Sequence, residues 1–144
     1  MNAKEYLKYV RDLGQELNAK LELCERLRVL ASFTSPHISN SKVSTGTNQG
    51  SRLENYAVKV MTIENDLKYD VYKLAAEKKN AINIINEIQT SKYRSVLINY
   101  YINCKSWEET AAAMSYSLRN IYYIHGLALQ EFKSLHCFAV ESVI

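Results

Sequence analysis

The sequence predicts an all-α protein, a long antiparallel helical hairpin followed by a helix-turn-helix domain. One proline and four glycines among 144 residues leave few positions that break a helix. Apolar residues recur at steps of three and four over residues 3–31 and again over 53–88, as in amphipathic helices. Residues 105–132 contain two serines suited to cap helices, Ser106 and Ser117, and the second of them ends a short turn. We therefore expect a hairpin over residues 1–90 and a helix-turn-helix domain over 91–144.

The first predicted helix covers residues 3–31, and its spacing is typical of a coiled-coil seam. Gly14 is expected to lie beside that seam, where it costs about 1 kcal/mol relative to alanine without breaking the helix. The expected seam positions are Tyr6, Val10, Leu13, Leu17, Leu21, Cys24, Leu27 and Ala31.

The segment 32–52 is rich in serine, threonine and asparagine and holds the proline and two glycines, which predicts a flexible connector. An arm that orders on DNA or on a partner through His37, Lys42 and Arg52 is the alternative. A second long helix is predicted over 53–88. Its expected inward residues are Leu53, Ala57, Val60, Ile63, Leu67, Val71, Leu74, Ile82, Ile85 and Ile88.

A two-helix hairpin of this length buries little apolar surface on its own. We expect a homodimer, in which a second copy covers the remaining apolar face. The alternative is a monomer whose hairpin folds back on the C-terminal domain.

A short helix over 91–102 is predicted to connect the hairpin to the next domain. Val96, Leu97, Tyr100 and Tyr101 are expected to form the third wall of that domain's core, with Trp107 packed beside them. The apolar tail over 135–144 is expected to pack against this domain or against a partner.

The segment 105–132 predicts two helices joined by the turn Ser115-Tyr116-Ser117. Ser106 and Glu109 form a capping box, which places a helix start near Trp107. Ser117 is expected to cap the second helix. The buried stripe of that helix is expected to be Ile121, Ile124, Ala128 and Phe132.

The opposite face of the second helix carries side chains suited to DNA. In a docked helix-turn-helix the N-terminal turns of this helix enter the major groove. Arginine can pair with guanine and asparagine with adenine, while hydroxyl groups suit phosphates. The predicted DNA-binding residues are Ser117, Leu118, Arg119, Asn120, Tyr122, Tyr123 and His125. The alternative is an ordinary helical hairpin, because residues from Ser91 onward carry five basic and four acidic side chains, a weak charge for binding DNA.

Glu109, Ala111 and Met114 form a pattern that resembles the first helix of the region 4 helix-turn-helix of bacterial sigma factors. The chain also resembles small phage and prophage regulators of Gram-positive bacteria, the ArpU-like and sigma-factor-like helix-turn-helix proteins. The resemblance is carried by residues 2–7, 58–65, 105–109 and 124–129.

This resemblance implies a cytoplasmic transcriptional regulator that binds double-stranded DNA, contacts RNA polymerase and influences late phage genes. The chain departs from the pattern at Thr110, where isoleucine is usual, at Leu118, often polar, and at Ala112 and Ala113, often charged. The alternative function is a coiled-coil adaptor that binds RNA polymerase or another phage protein without reading DNA.

Other functional classes lack sequence support. We expect no enzyme, because no acid or nucleophile accompanies His125 by spacing, and no metal site, because His136-Cys137 is an isolated pair of ligands. We expect no cofactor, since no phosphate-binding glycine loop occurs. No apolar run approaches the roughly 20 residues that span a bilayer. The odd, widely spaced Cys24, Cys104 and Cys137 suggest reduced thiols.

Overall fold

The computed structural model describes residues 1–33 and 47–141, and every regular element in these ranges is helical. The all-α prediction is therefore confirmed. The elements are α1 (Ala3–Phe33), α2 (Thr47–Asn86), α3 (Ser91–Leu97), a π-helical turn (Ile98–Ile102), α4 (Trp107–Met114) and α5 (Leu118–Glu141).

The chain divides into two compact units. Unit 1 comprises Met1–Gln15 and Lys73–Ile144, and unit 2 comprises Glu16–Tyr72. This division differs from the predicted boundary at residue 90, because the start of α1 and the end of α2 share a core with the later helices. The buried residues of that core are Ala3, Leu7, Val10, Ala81, Ile85, Ile88, Val96, Leu97, Tyr101, Ile102, Ala111, Ile121, Ile124, Ala128 and Phe132.

Helix α1 begins with a capping box that our sequence analysis did not identify. The Glu5 backbone N–H donates to Asn2 Oδ1 at 2.9 Å, and the Asn2 N–H donates to Glu5 Oε2 at 2.9 Å. The buried seam of α1 differs from the predicted one: Leu7 rather than Tyr6 is fully buried, and Leu21 is 48% exposed. The buried positions of α1 are Ala3, Leu7, Val10, Gly14, Leu17 and Cys24.

Helix α2 begins at Thr47, so residues 47–52 are helical and the predicted connector is wrong there. Residues 34–46, with His37 and Lys42, lie outside the described residues, as does the side chain of Arg52. The predicted second helix also ends early, at Asn86, although Ile88 beyond it is buried. Of the other predicted inward positions, Leu67, Leu74 and Ile85 are buried, whereas Ala57 and Val71 are exposed.

Within unit 2, two ion pairs show that α1 and α2 are antiparallel. Lys20 Nζ lies 2.7 Å from Asp70 Oδ2, and Arg28 pairs with Glu64. The residue number of the partner in α2 thus decreases as the residue number in α1 increases. Unit 2 nevertheless exposes many large apolar side chains, namely Leu21, Leu23, Val29, Leu30, Val58, Met61, Tyr69, Val71 and Tyr72.

In unit 1, the predicted helix over 91–102 consists of α3 followed by the π-helical turn. The Asn103 N–H donates to the Ile98 carbonyl oxygen at 2.9 Å, five residues back, which is the π-helical pattern. Cys104 then takes a left-handed conformation with φ 55°. This turn brings the Cys104 thiol against α1 at Gly14, where an added Cβ would lie 2.8 Å from Sγ. Gly14 therefore lies in the seam and not beside it, which corrects the prediction.

We predict that the effect of Gly14→Ala depends on residue 104. In the wild-type background the substitution should destabilise the protein, because the contact with Cys104 Sγ outweighs the ~1 kcal/mol helix preference of alanine. In a Cys104→Ala background that obstacle is gone, and Gly14→Ala should stabilise by up to about 1 kcal/mol. Urea unfolding of the four variants measures both effects, and the same sign in both backgrounds would contradict the prediction.

Candidate nucleic-acid interface

Helix α4 begins at the predicted cap. The side chain of Ser106 accepts a hydrogen bond from the Glu109 backbone N–H at 3.1 Å. Without this bond, the Glu109 N–H would have no partner within the first turn of α4. Ala111 is buried on this helix. Thr110 is also buried, and its hydroxyl oxygen has no hydrogen-bond partner within the described part of the chain.

Helix α4 ends in a left-handed turn at Ser115, with φ 57°. The Ser115 N–H donates to the Ala112 carbonyl at 3.3 Å, and the Tyr116 N–H donates to the Ala111 carbonyl at 3.0 Å. These two bonds form a Schellman motif, which satisfies the terminal carbonyl groups and reverses the chain direction.

Helix α5 begins directly after this turn, and its cap matches the prediction. Ser117 Oγ accepts from the Asn120 N–H at 3.2 Å. All four residues of the predicted buried stripe are at most 2% exposed, namely Ile121, Ile124, Ala128 and Phe132. Burial of this stripe sets which side of α5 faces away from the core.

Six of the seven residues predicted to bind DNA lie together in the first two turns of α5 or at its cap. We call these six the α5 surface: Ser117, Leu118, Arg119, Asn120, Tyr122 and Tyr123. Tyr123 is 67% exposed and Tyr122 48% exposed, and Leu118 is 37% exposed. Ser117 and Arg119 are exposed as well, whereas Asn120 is half-buried.

His125, the seventh predicted residue, is held in an aromatic cluster and not on the α5 surface. Its Nε2 lies 2.8 Å from the Tyr101 hydroxyl, and its ring centroid lies 4.6 Å from that of Trp107. Burial, with a smaller effect of the Lys4 charge, lowers the pKa of His125 to about 4. The ring is therefore neutral at pH 7, and a hydrogen bond joins its Nε2 to the Tyr101 hydroxyl.

Tyr100 is the centre of the same cluster. The Trp107 ring stacks on Tyr100 with centroids 3.7 Å apart and planes 13° apart. The Arg11 guanidinium carbon lies 3.9 Å from the Tyr100 centroid, so it must occupy the opposite face of the ring to avoid overlap. Arg11 also donates to the Tyr100 carbonyl and, at 3.0 Å, to the Lys105 carbonyl. Trp107 is half-buried, as part of this stack.

A cavity of about 470 Å³ opens between the first turns of α1 and the aromatic cluster. We call it the basic groove. Three cations of α1, Lys4, Lys8 and Arg11, line it together with one acid, Asp12. Trp107 and His125 are among the aromatic residues on its other side. This site was not predicted from the sequence, although the spacing of Lys4, Lys8 and Arg11 by four and three residues places them on one face of α1.

Over the ranges described, no group of three or more His, Cys, Asp or Glu side chains could hold a metal ion. None of the helices in those ranges is both long enough and apolar enough to cross a bilayer.

We predict that His125 makes the protein less stable as the pH falls from about 6.5 to about 4. The unfolded chain takes up a proton near the ordinary histidine pKa of 6.5, whereas the folded chain resists protonation down to about 4. The stabilisation is complete above pH 6.5. Because the ring is partly exposed, screening should limit the loss to about 1–2 kcal/mol.

His125→Gln removes the titrating group and should flatten this part of the pH profile. The thermal unfolding midpoints of the wild-type chain and of His125→Gln are measured between pH 4 and 7.5. The carboxylates are the same in both proteins, so their contribution cancels when one midpoint is subtracted from the other at each pH. Parallel profiles would show that His125 titrates normally in the folded state.

A family model described as "Protein of unknown function (DUF1492)" matches residues 32–133, which is most of the chain. The matched range contains the α5 surface and ends within α5, whereas Lys4, Lys8 and Arg11 precede it. No curated protein and no solved structure matches. The chain belongs to the DUF1492 family of proteins of unknown function.

Proposed function

We propose that this protein is a sequence-specific DNA-binding regulator of phage or prophage transcription. The observation that carries the proposal is the exposure of Arg119 in the first turn of α5, directly after a capped turn that follows another short helix. In helix-turn-helix proteins, side chains at this position of the second helix contact the bases.

In the proposed complex, α5 enters the major groove of double-stranded DNA with its N-terminal end first. Arg119 pairs with the edge of a guanine, and Asn120 presents its amide to an adenine. Ser117, Tyr122 and Tyr123 contact phosphate oxygens or thymine methyl groups. We leave His125 out of this set, because its Nε2 is engaged with Tyr101.

We further propose that unit 2 joins two copies of the chain. Large exposed apolar side chains such as Val58 (61% exposed) and Met61 (63%) lie three residues apart on α2, and so on one face. Large exposed apolar side chains that share a face are expected at protein interfaces. A homodimer would present two α5 surfaces to a two-fold operator, which offsets the weak charge of one surface.

The regulator would act in the cytoplasm by recruiting or guiding RNA polymerase to late phage genes. Support for this part is the resemblance of residues 105–132 to sigma factor region 4 and of the chain to ArpU-like regulators. The capped helices α4 and α5 are compatible with that resemblance.

One observation favours the alternative function, an adaptor that binds RNA polymerase or another phage protein without reading DNA. The turn before α5 exposes Tyr116 (40%), and the first turns of α5 expose Leu118 (37%) and Tyr123 (67%) near Arg119. Tyrosine, other apolar groups and arginine are enriched in the centres of protein interfaces. DNA-binding measurements on the same surface distinguish the two functions.

We predict that Arg119→Ala and Asn120→Ala each weaken binding to the operator by about 1–3 kcal/mol, or roughly 5- to 150-fold, because each removes a base contact. Fluorescence anisotropy with fragments of the neighbouring phage genome measures this loss. Lys133→Ala is the matched control, since Lys133 is an exposed cation at the other end of α5. The melting temperature should change little for Arg119→Ala, which alters an exposed side chain. Wild-type affinity for the operator in Arg119→Ala would refute the recognition-helix assignment.

We predict that the double variant Val58→Lys, Met61→Lys shifts the chain from dimer to monomer, because it places two charges on the exposed apolar face of α2. Light scattering gives the mass, and Lys59→Ala on the same helix is the control. Leu67→Asp should act differently, because Leu67 is 7% exposed and the charge would disrupt the pairing of α1 and α2 itself, with loss of helical circular dichroism. A wild-type chain that is monomeric at every concentration would exclude the dimer.

A further inference from the structure

We propose that the basic groove binds a backbone phosphate of the DNA beside the bases that the α5 surface reads. This inference rests on the proposed function and adds to it a second contact, made by α1. It concerns Lys4 and Lys8, which lie outside the range that the family model matches.

The basic groove carries uncompensated positive charge. Lys4 and Lys8 are exposed and four residues apart on α1, and neither forms an ion pair in the described ranges. Like charges at this spacing repel each other and destabilise a helix slightly. Arg11 adds a third positive charge to the groove, and Asp12 is the one acid among its lining residues. The groove is therefore suited to an anion.

The hydrogen-bond donors of the groove differ in role: Arg11 is engaged with the backbone, whereas Lys4 and Lys8 remain available to a ligand. Arg11 directs its guanidinium to the carbonyls of Tyr100 and Lys105 and to the Tyr100 ring, so its position is fixed. Its charge remains at the groove, while the ammonium groups of Lys4 and Lys8 keep donors for a ligand. An ammonium group binds phosphate as a point charge, without the fixed geometry of a guanidinium.

The basic groove adjoins the α5 surface through Trp107. Trp107 lines the groove, and its ring contacts that of Tyr122 with centroids 5.3 Å apart and planes at 66°. Tyr122 belongs to the α5 surface. A DNA strand whose bases meet this surface would therefore have phosphates close to the groove, as helices that flank a recognition helix contact the backbone in other helix-turn-helix proteins.

This contact would also supply the charge that the C-terminal helices lack. From Ser91 onward the sequence has five basic and four acidic residues, which gives little attraction to DNA. The start of α1 brings Lys4, Lys8 and Arg11 to the same unit as α5.

The test is a salt titration of DNA affinity with the double variant Lys4→Gln, Lys8→Gln. Each phosphate contact contributes about 0.9 to the slope of log K against log salt concentration, so the slope should fall by about 1–2. Affinity for operator and for unrelated duplex should fall by the same factor, because phosphate contacts carry no sequence information. The matched control is Lys79→Gln, Lys133→Gln, which removes the same charge from exposed positions outside the groove.

A second readout uses Trp107, the single tryptophan of the chain. Operator duplex should change its fluorescence in the wild-type chain and in the control variant, and less in Lys4→Gln, Lys8→Gln at saturating DNA. Equal salt slopes in the two double variants, with DNA binding intact, would overturn the groove contact alone. Failure of the wild-type chain to bind any duplex would overturn the proposed function and this contact with it.

Discussion

The capture of Tyr100 between Arg11 and Trp107 is the interaction on which the rest of unit 1 depends. The π-helical turn follows α3, and a side chain supplies a hydrogen-bond donor to the Tyr100 carbonyl within it. That side chain is Arg11, which also donates to the Lys105 carbonyl. The stacked Trp107 is the first residue of α4. One arginine on α1 thereby holds the segment that sets where α4 begins, and through the next turn where α5 begins.

The parts of the fold that the sequence predicted well are those decided by neighbouring residues. The caps at Ser106 and Ser117 and the buried stripe of α5 depend on spacing within one helix. The seam of α1 was harder to predict, because the residue that packs against Gly14, Cys104, is far away in sequence. The start of α2 was also missed. Once nucleated, a helix gains a hydrogen bond for each added residue, so it can extend into a polar segment whose composition suggests a loop.

In the candidate site, too, the sequence predicted the features that depend on neighbouring residues and not those that depend on the tertiary fold. Six residues of the predicted set lie at the cap or in the first two turns of α5, because they are close neighbours in sequence. His125 is also near that face, but Tyr101 and Trp107 approach it from other elements and enclose it. Lys4 and Lys8 could be assigned to one face of α1 from spacing, yet nothing local indicates that this face lies beside Trp107. A local pattern identifies a face, and the tertiary fold decides what that face meets.

The packing of Tyr6 near Phe132 and His136 has a consequence for how the chain folds. Tyr6 is far in sequence from Phe132 and His136, so these contacts close a long loop, at an entropic cost that grows with loop length. During synthesis the first turns of α1 emerge long before α5 exists. The core of unit 1 can therefore be completed only after α5 has been synthesised, and until then the cover over the apolar residues Leu7 and Val10 is incomplete.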